Sequence, residues 1–301
     1  MKVSTVLVNY RQWDLTRKCV ESLEASRGVE VKITLVDNCS GEEVPGWVRN
    51  RRNLRFYESG SNTGFAGGCN TGFELSLEDG AEYTLFLNND ATVFPTTLKE
   101  LTEYLEANPE TGILAPAVYW ESDPLRLWSG GGNLVPWKMR YEQIRITEDD
   151  IREKRALKAD FVSGCAMMVR TGLFRKVEGF REDFFMYYED ADLCRKIMES
   201  GYSVEVLPWV RVLHEAASSS GGELSRLALY FSERNRIFLS REVLAPMTRG
   251  VFILYKTLVL VIQTFKFALW QGPRLIPWIW RGFIDGLAGR AGFSHVISRL
   301  V

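Results

Sequence analysis

The chain has 301 residues, 46% hydrophobic and 25% charged, an ordinary globular composition that excludes a disordered, low-complexity or collagen-like protein. That length fits one large domain or a domain with an appendage. The net charge of −1 hides an asymmetry, because from Arg226 onward 11 Lys and Arg stand against 3 Asp and Glu, so a basic C-terminal part follows an acidic body.

In chain order, VSTVLVN (residues 3–9) reads as a first strand and not as a signal peptide, since its apolar run is short and Asn9, Arg11 and Asp14 follow. A helix is expected over 15–25, a second strand over 31–38 and a third over 54–59. A glycine-rich turn comes next, then a helix through 73–77. Residues 82–90 form the fourth strand, and Pro95 opens a helix near 96–107. GILAPAVY (112–119) is the fifth strand. Strands alternating with helices at this spacing predict βα units and an α/β fold with a mainly parallel sheet. The stretch 120–158 is less regular, has three glycines at 130–132, and reads as a lid or an acceptor-side loop. Strand character returns over 159–170, a helix follows over 189–200 with Gly201 as its cap, and 202–208 is a further strand. From Glu223 the chain turns helical, with Leu224, Leu227, Ala228, Phe231, Phe238 and Leu239 near helical spacing.

Three strands end in polar residues: Asn9, Asp37-Asn38 and Asn88-Asn89-Asp90. Ligands of open α/β sheets bind beyond the carboxyl ends of the strands, so these groups should meet at one edge. Asp90 could hold a hard divalent cation bridged to substrate phosphates, or simply belong to a polar turn. In SNTGFAGGCNTG (61–72) the glycines fall at 64, 67, 68 and 72 and follow the third strand, a poor match to a dinucleotide fingerprint. They would let backbone approach a ligand closely, or give a flexible helix entry. Glu189, Asp190 and Asp192 crowd one helix start in FFMYYEDADLC (184–194), where the helix dipole favours anions. Adjacent carboxylates in an aromatic surround also raise one another's pKa, which suits proton abstraction. His214 is one of two histidines, with His295. It becomes a metal ligand only if a carboxylate such as Asp90 lies close. Five scattered cysteines, odd in number and without CxxC spacing, argue against a disulfide framework or zinc site and fit a reducing cytosol.

Taken together and in order, VLVNYRQWD, ITLVDNCS, NTGFAGGCNTG, LFLNNDATV, DFVSGCAMMVR, FFMYYEDADLC and the late His214 resemble family 2 glycosyltransferases of the GT-A fold. The rhamnosyltransferase branch is the nearest likeness, and it runs from about residue 3 to 216. The resemblance implies a Rossmann-like mixed, mainly parallel sheet flanked by helices, and inverting transfer from a nucleotide-diphosphate sugar. It implies that Val8, Asn9 and Tyr10 border the nucleobase pocket and that Asp37 hydrogen-bonds the pyrimidine or ribose. Asn62, Gly64, Phe65, Gly68 and Asn70 would line the nucleotide–sugar side, joined by Asn88, Asn89 and Gly164. Asn88-Asn89-Asp90 stands where the family has its Asp-x-Asp element. With Asn88 in the first place, Asp90 is left as the carboxylate ligand of Mg²⁺ or Mn²⁺, and His214 would be a further metal or diphosphate contact. Asp190, beside Glu189, would be the base. The chemistry agrees, because inversion needs a carboxylate on the acceptor side and charge neutralisation on the leaving side.

VFILYKTLVLVIQTFKFALW (251–270) is the most apolar stretch and long enough to cross a bilayer. Arg249, Lys256 and Gln263 nevertheless fall within about 40° of one another at 100° per residue, with Lys266 about 60° further round. One polar face favours a helix lying in the membrane interface, and PRLIPWIWRGF (273–283) adds two tryptophans beside arginines. The alternative is packing on the domain or in a homodimer. The expected organisation is a GT-A catalytic domain over 1–222, nucleotide-sugar side to about 119 and acceptor side about 120–222, then an amphipathic helical region over 223–301. The expected enzyme is cytoplasmic, peripheral on the cytoplasmic face of the inner membrane, and acts on a saccharide or lipid-linked saccharide. dTDP-rhamnose is the favoured donor, a UDP-sugar the alternative. A nucleotidyltransferase would carry a basic, glycine-rich loop near the first strand, and VNYRQWD has no glycine. A non-catalytic binder or membrane scaffold would not need both Asp90 and Asp190. A nucleic-acid role is disfavoured because the basic residues sit in an apolar helical context.

Overall fold

The computed structural model describes residues 1–215 and 225–291. The expected boundary near 222, Leu224 and His295 lie outside the described residues. The chain begins β1 (Lys2–Asn9), α1 (Trp13–Glu24), β2 (Glu30–Asp37), α2 (Gly46–Arg49), β3 (Leu54–Glu58), α3 (Gly64–Ser76) and β4 (Tyr83–Asn88). It continues through β5 (Ala91–Val93), α4 (Thr97–Ala107), β6 (Thr111–Trp120), β7 (Leu127–Ser129), β8 (Gly132–Val135) and β9 (Arg140–Gln143). Next come α5 (Glu148–Arg152), β10 (Leu157–Lys158), β11 (Ala166–Arg170), α6 (Thr171–Lys176), α7 (Glu189–Glu199) and β12 (Ser203–His214). Three helices close the described chain: α8 (Arg226–Val243), α9 (Pro246–Lys266) and α10 (Ile276–Ala288).

The main sheet is ordered β10-β12-β6-β11-β4-β1-β2-β3, with β5 added on β12 and β7 on β6. Strands β1 to β4 are mutually parallel where they pair, and β12 is parallel to β6. Strand β11 runs antiparallel between β4 and β6. The ends of β1, β2, β4, β6 and β12 therefore share one edge with the start of β11. Alternation along the strands splits the interior in two. Leu7, Leu85 and Leu87 face a core with Leu23, Leu98 and Leu101. Val6 and Phe86 face the other, with Phe73, Phe174 and Ile197.

Four expectations change. The glycine run is helix, not turn, because α3 starts at Gly64 and lays its small residues on β1. The stretch 120–158 is not a bare loop: it holds four short strands, including a β8–β9 hairpin. Strand β11 begins only at Ala166, leaving 159–165 as its approach. Strand β12 does not stop at Pro208 but runs on to His214, with a register shift between Leu207 and Arg211. Proline lacks the donor a regular ladder needs, so it sits at the irregularity.

The C-terminal helices share a third core with the body: Ile237, Phe252, Leu260 and Phe283 cluster with Phe184 and Ala191. Ser225 caps α8, its Oγ accepting from Ala228 N at 3.1 Å. Helix α9 turns one of its charges, Lys256, inward. Lys256 is 1% exposed and its Nζ lies 2.6 Å from Glu233 Oε2 on α8, while Met247, Leu254, Leu258, Ile262 and Phe265 are 60–82% exposed.

Candidate active site

A cavity of about 670 Å³ opens at the shared sheet edge, within the range of sites for small organic ligands. Twelve of the sixteen expected site residues line it: Val8, Tyr10, Asn62, Gly64, Phe65, Asn88, Asn89, Asp90, Gly164, Glu189, Asp190 and His214.

Strand β4 ends with Asn88 next to Val8 of β1 in register, and Asn89 Nδ2 donates to Thr16 Oγ1 at 2.9 Å. Asp90 follows, just before β5. Because β5 pairs antiparallel with the end of β12, His214 arrives opposite it. His214 Nε2 stands 2.9 Å from Asp90 Oδ1 and 3.4 Å from the Asn88 amide. The Trp128 ring meets the imidazole edge-on at 4.4 Å. Burial pulls the imidazole pKa down, but the Cys165 thiol and the Asp90 carboxylate outweigh it and raise His214 to about 10. The Cys165 thiol is itself pushed up by burial, so at neutral pH its charge drops out of that rise and Asp90 is the neighbour that keeps the imidazole pKa up.

Asp190 is held from both sides. Its Oδ2 accepts from Gly164 N at 3.0 Å and its Oδ1 from Ala191 N at 2.8 Å. Burial raises its carboxyl to about 6, although those backbone donors oppose the rise. Burial, with Asp190's charge adding, pushes Glu189 well above the usual carboxylate range. Glu189 Oε2 is buried without a hydrogen-bond partner.

Gly64 sits at φ +74°, and a Cβ there would collide with the Phe185 carbonyl oxygen, so the chain needs glycine at this turn. Asn38 ties the turn down: its Nδ2 donates to Gly64 O at 2.9 Å and its Oδ1 accepts from Thr63 N at 3.0 Å.

Four expected residues do not line the cavity. Asn9 and Asp37 are buried behind its wall, joined by a 2.7 Å bond from Asn9 Nδ2, and Ser40 N donates to Asp37 Oδ2 at 3.0 Å. They brace the strand ends that carry Tyr10 and Asn38. Gly68 is a packing position, where a Cβ would come within 2.8 Å of Val8 Cγ1. Asn70 clamps the 180–182 segment, accepting from Phe180 N at 3.0 Å and donating to Phe180 O at 2.8 Å.

The cavity is also lined by residues with no motif of their own, among them Trp120, Trp128, Arg140, Tyr141 and Phe161, and by Leu227, Ala228 and Ser232 of α8. Trp128 and the hairpin pair carried no local signal. Their place follows from strand pairing across 120–158.

The donor set at Asp90 fits a divalent ion that is shared with a ligand. Among the described residues no group of three His, Cys, Asp or Glu side chains converges to cage an ion. One carboxylate oxygen and one imidazole nitrogen do face each other, His214 Nε2 at 2.9 Å from Asp90 Oδ1. Such a pair leaves most of the coordination shell to phosphate oxygens and water.

Comparison with known proteins fits this arrangement. Residues 4–177 match the family described as Glycosyl transferase family 2, and residues 151–216 match the N-terminal domain of galactosyltransferase. The low-salt glycan biosynthesis hexosyltransferase Agl10 of Haloferax volcanii is 23% identical over 296 residues, 96% of this chain and 92% of its own. The N-acetylglucosaminyl-diphospho-decaprenol L-rhamnosyltransferase of Mycobacterium tuberculosis is 26% identical over 261 residues, 78% of this chain and 83% of its own. The mannosyltransferase PcManGT of Pyrobaculum calidifontis, solved with GDP-Man and Mn²⁺, superposes with a TM-score of 0.59 at 14% identity, over 96% of this chain and 87% of its own. The expected fold, GT-A, is the observed one.

Proposed function

Since this chain belongs to glycosyl transferase family 2, we propose that it moves one sugar, with inversion, from a nucleotide diphosphate to a hydroxyl of a saccharide or lipid-linked saccharide in cell-envelope glycan synthesis. The observation that carries the reading is that Asp90 and Asp190, two carboxylates with different environments, line one cavity. The acceptor oxygen attacks the anomeric carbon, the bond from that carbon to the diphosphate oxygen breaks, and its electron pair leaves on the diphosphate. Asp190 takes the acceptor's proton. With its pKa near 6 it is unprotonated at neutral pH yet basic enough to help. Asp90 and His214 would hold Mg²⁺ or Mn²⁺ against the diphosphate, and the bound ion would neutralise the charge gathering there. The likeness to a rhamnosyltransferase favours dTDP-rhamnose as donor, with a UDP-sugar as the alternative.

The outward apolar side of α9 supports a second part of the reading, peripheral attachment to the cytoplasmic face of a membrane. Among the described residues one helix, Pro246–Leu269, is long and apolar enough to cross a bilayer. It is, however, fastened along its length to α8, to α10 and, through Trp137, to the body. Lys256 pairs with Glu233, Tyr255 meets Trp137 at 5.0 Å, and Trp280 Nε1 donates to Thr264 Oγ1 at 2.9 Å. A helix so held lies along the bilayer surface with its apolar side in lipid. That placement would bring a lipid-linked acceptor to the cavity. A homodimer through the same side is the alternative.

Calorimetric titration of dTDP, UDP and GDP, each with and without Mg²⁺ and Mn²⁺, tests the reading on the wild type and Asp90→Ala. Metal-dependent binding of one pyrimidine diphosphate, weakened in the variant, is expected. Failure of all three nucleotides to bind under every condition would overturn it.

A further inference from the structure

Just before Asp190 the backbone adopts conformations that side chains disfavour. Phe185, Tyr187 and Tyr188 have φ of 63°, 67° and 72°. Positive φ is disfavoured for any residue with a Cβ, and none of the three is glycine, asparagine or aspartate. Such a run persists only where its surroundings over-determine it.

Helix α8 supplies that constraint from behind. Asn235 is fully buried, and its Nδ2 lies 2.8 Å from each of the carbonyl oxygens of Phe184, Met186 and Tyr187. Its Oδ1 accepts from Arg234 Nε at 2.9 Å, which fixes the amide with its nitrogen toward the loop. Arg234 Nη2 donates to Asp183 O at 2.7 Å and Phe184 O at 3.1 Å. Arg236 Nε donates to Tyr188 Oη at 2.7 Å. On its other side the loop touches the donor-side helix start, where Phe185 O accepts from Ala66 N at 3.2 Å. The loop is thus wedged between α3 and α8, and the next two residues are Glu189 and Asp190.

We infer that Asn235 is a positioning residue for the transfer: it holds the 184–188 loop, with its three positive-φ residues, and thereby fixes Asp190 relative to the donor-side start of α3. Asn235 is not among the residues that line the cavity, so it acts through the loop. The inference rests on the reading of Asp190 as the base. It assigns a catalytic consequence to a helix that the sequence presents only as part of a basic, amphipathic C-terminal region.

The test compares full-length wild type with Asn235→Ala, Asn235→Asp, Arg236→Gln and Asp190→Asn. Transfer is measured from dTDP-rhamnose to an N-acetylglucosaminyl-diphospholipid, dTDP affinity by calorimetry, and amide exchange across 183–191 by mass spectrometry. Asn235→Ala should lower kcat about a hundredfold, the cost of a base displaced by about an ångström, while dTDP affinity stays within threefold and exchange across 183–191 speeds up. Asn235→Asp keeps the shape but has no donor, so it should rescue nothing. Arg236→Gln, a milder change should the others fold poorly, should lower kcat about tenfold, again without loss of dTDP affinity. A kcat within threefold of wild type in Asn235→Ala, unchanged exchange across 183–191, or equal losses of kcat and dTDP affinity would each overturn the inference. Asp190→Asn separates the two readings. If it transfers like wild type, the base assignment falls. If it is inactive while Asn235→Ala is not, the positioning role alone falls.

Discussion

His214 and Asp90 are 124 positions apart in the chain, yet Nε2 of the one lies 2.9 Å from Oδ1 of the other. Two backbone arrangements enforce the meeting. His214 stands opposite Ala91 where β12 pairs with β5, and Glu215 N donates to Asp90 O at 3.0 Å. The pair is therefore set by sheet register and does not depend on flexible side chains finding each other.

Asp90→Asn and His214→Gln should each remove most of the Mn²⁺-dependent gain in dTDP affinity, about 10- to 100-fold. The double variant should be little worse than either, because the two residues act as one unit. Without metal all four proteins should bind dTDP alike. The gain should also grow between pH 6 and pH 9. With its pKa raised by the Asp90 carboxylate beside it, the imidazole must give up a proton before it can ligate, so metal and proton compete. Calorimetry in buffers of different ionisation enthalpy would detect the released proton.

The acid limb of kcat/KM should fall near pH 6, the value to which burial raises Asp190. Below it the base is protonated and activity should drop about tenfold per pH unit. Asp190→Asn should lose about 10²- to 10⁴-fold in kcat and lose that limb. A pH–rate profile at saturating donor, taken on both proteins, checks both points.

Glu189→Gln should stabilise the protein at pH 8 and have little effect at pH 4. A carboxyl whose pKa is raised in the fold contributes stability that is fully present below its unfolded value and is lost as pH rises through the folded value. Burial raises Glu189 well above the usual range, so at pH 8 the fold carries the cost of that shift. The amide removes it. Scanning calorimetry should show a Tm about 2–4 °C higher at pH 8, the shift expected of about 1 kcal/mol in a chain of this size.

The two sides of α9 should respond oppositely to substitution. Leu254→Gln with Leu258→Gln and Phe265→Gln alters only outward residues, so Tm should stay within about 2 °C while binding to anionic phospholipid vesicles falls at least tenfold. Lys256→Ala should instead cost about 3–5 kcal/mol of stability, because it leaves Glu233 buried and unpaired. Vesicle sedimentation and thermal unfolding on the same samples separate the effects.

What the sequence disclosed depended on how local each cause was. Asn88 to Asp90 announce themselves because polar residues end an apolar run, and the βα alternation that orients them is a pattern of neighbours. The glycines at 64–72 misled, since a stretch that looks like a turn is helix wherever a strand such as β1 requires close approach. Arg140, Tyr141 and Trp128 gave no sign, because strand pairing across 120–158 brings them to the cavity. Arg234 and Asn235 were hidden differently. Apolar spacing identified α8 correctly, but it assigned meaning to Phe231 and Phe238 and none to the polar residues between them, whose partners are carbonyls about 50 positions earlier.

The grip of α8 on the carbonyls of Asp183, Phe184, Met186 and Tyr187 also bears on how such an enzyme can diversify. A chain cut near residue 222 would keep every side chain assigned here to chemistry, yet leave those backbone oxygens to water. The terminal helices and the loop before Asp190 are then one heritable unit. A lineage that exchanged its C-terminal region for a new membrane or a new acceptor would have to carry that loop along, or rebuild the grip from the incoming helix. Covariation between positions 234–236 and 183–188, stronger than that between α9 and the sheet, is the trace this would leave among relatives.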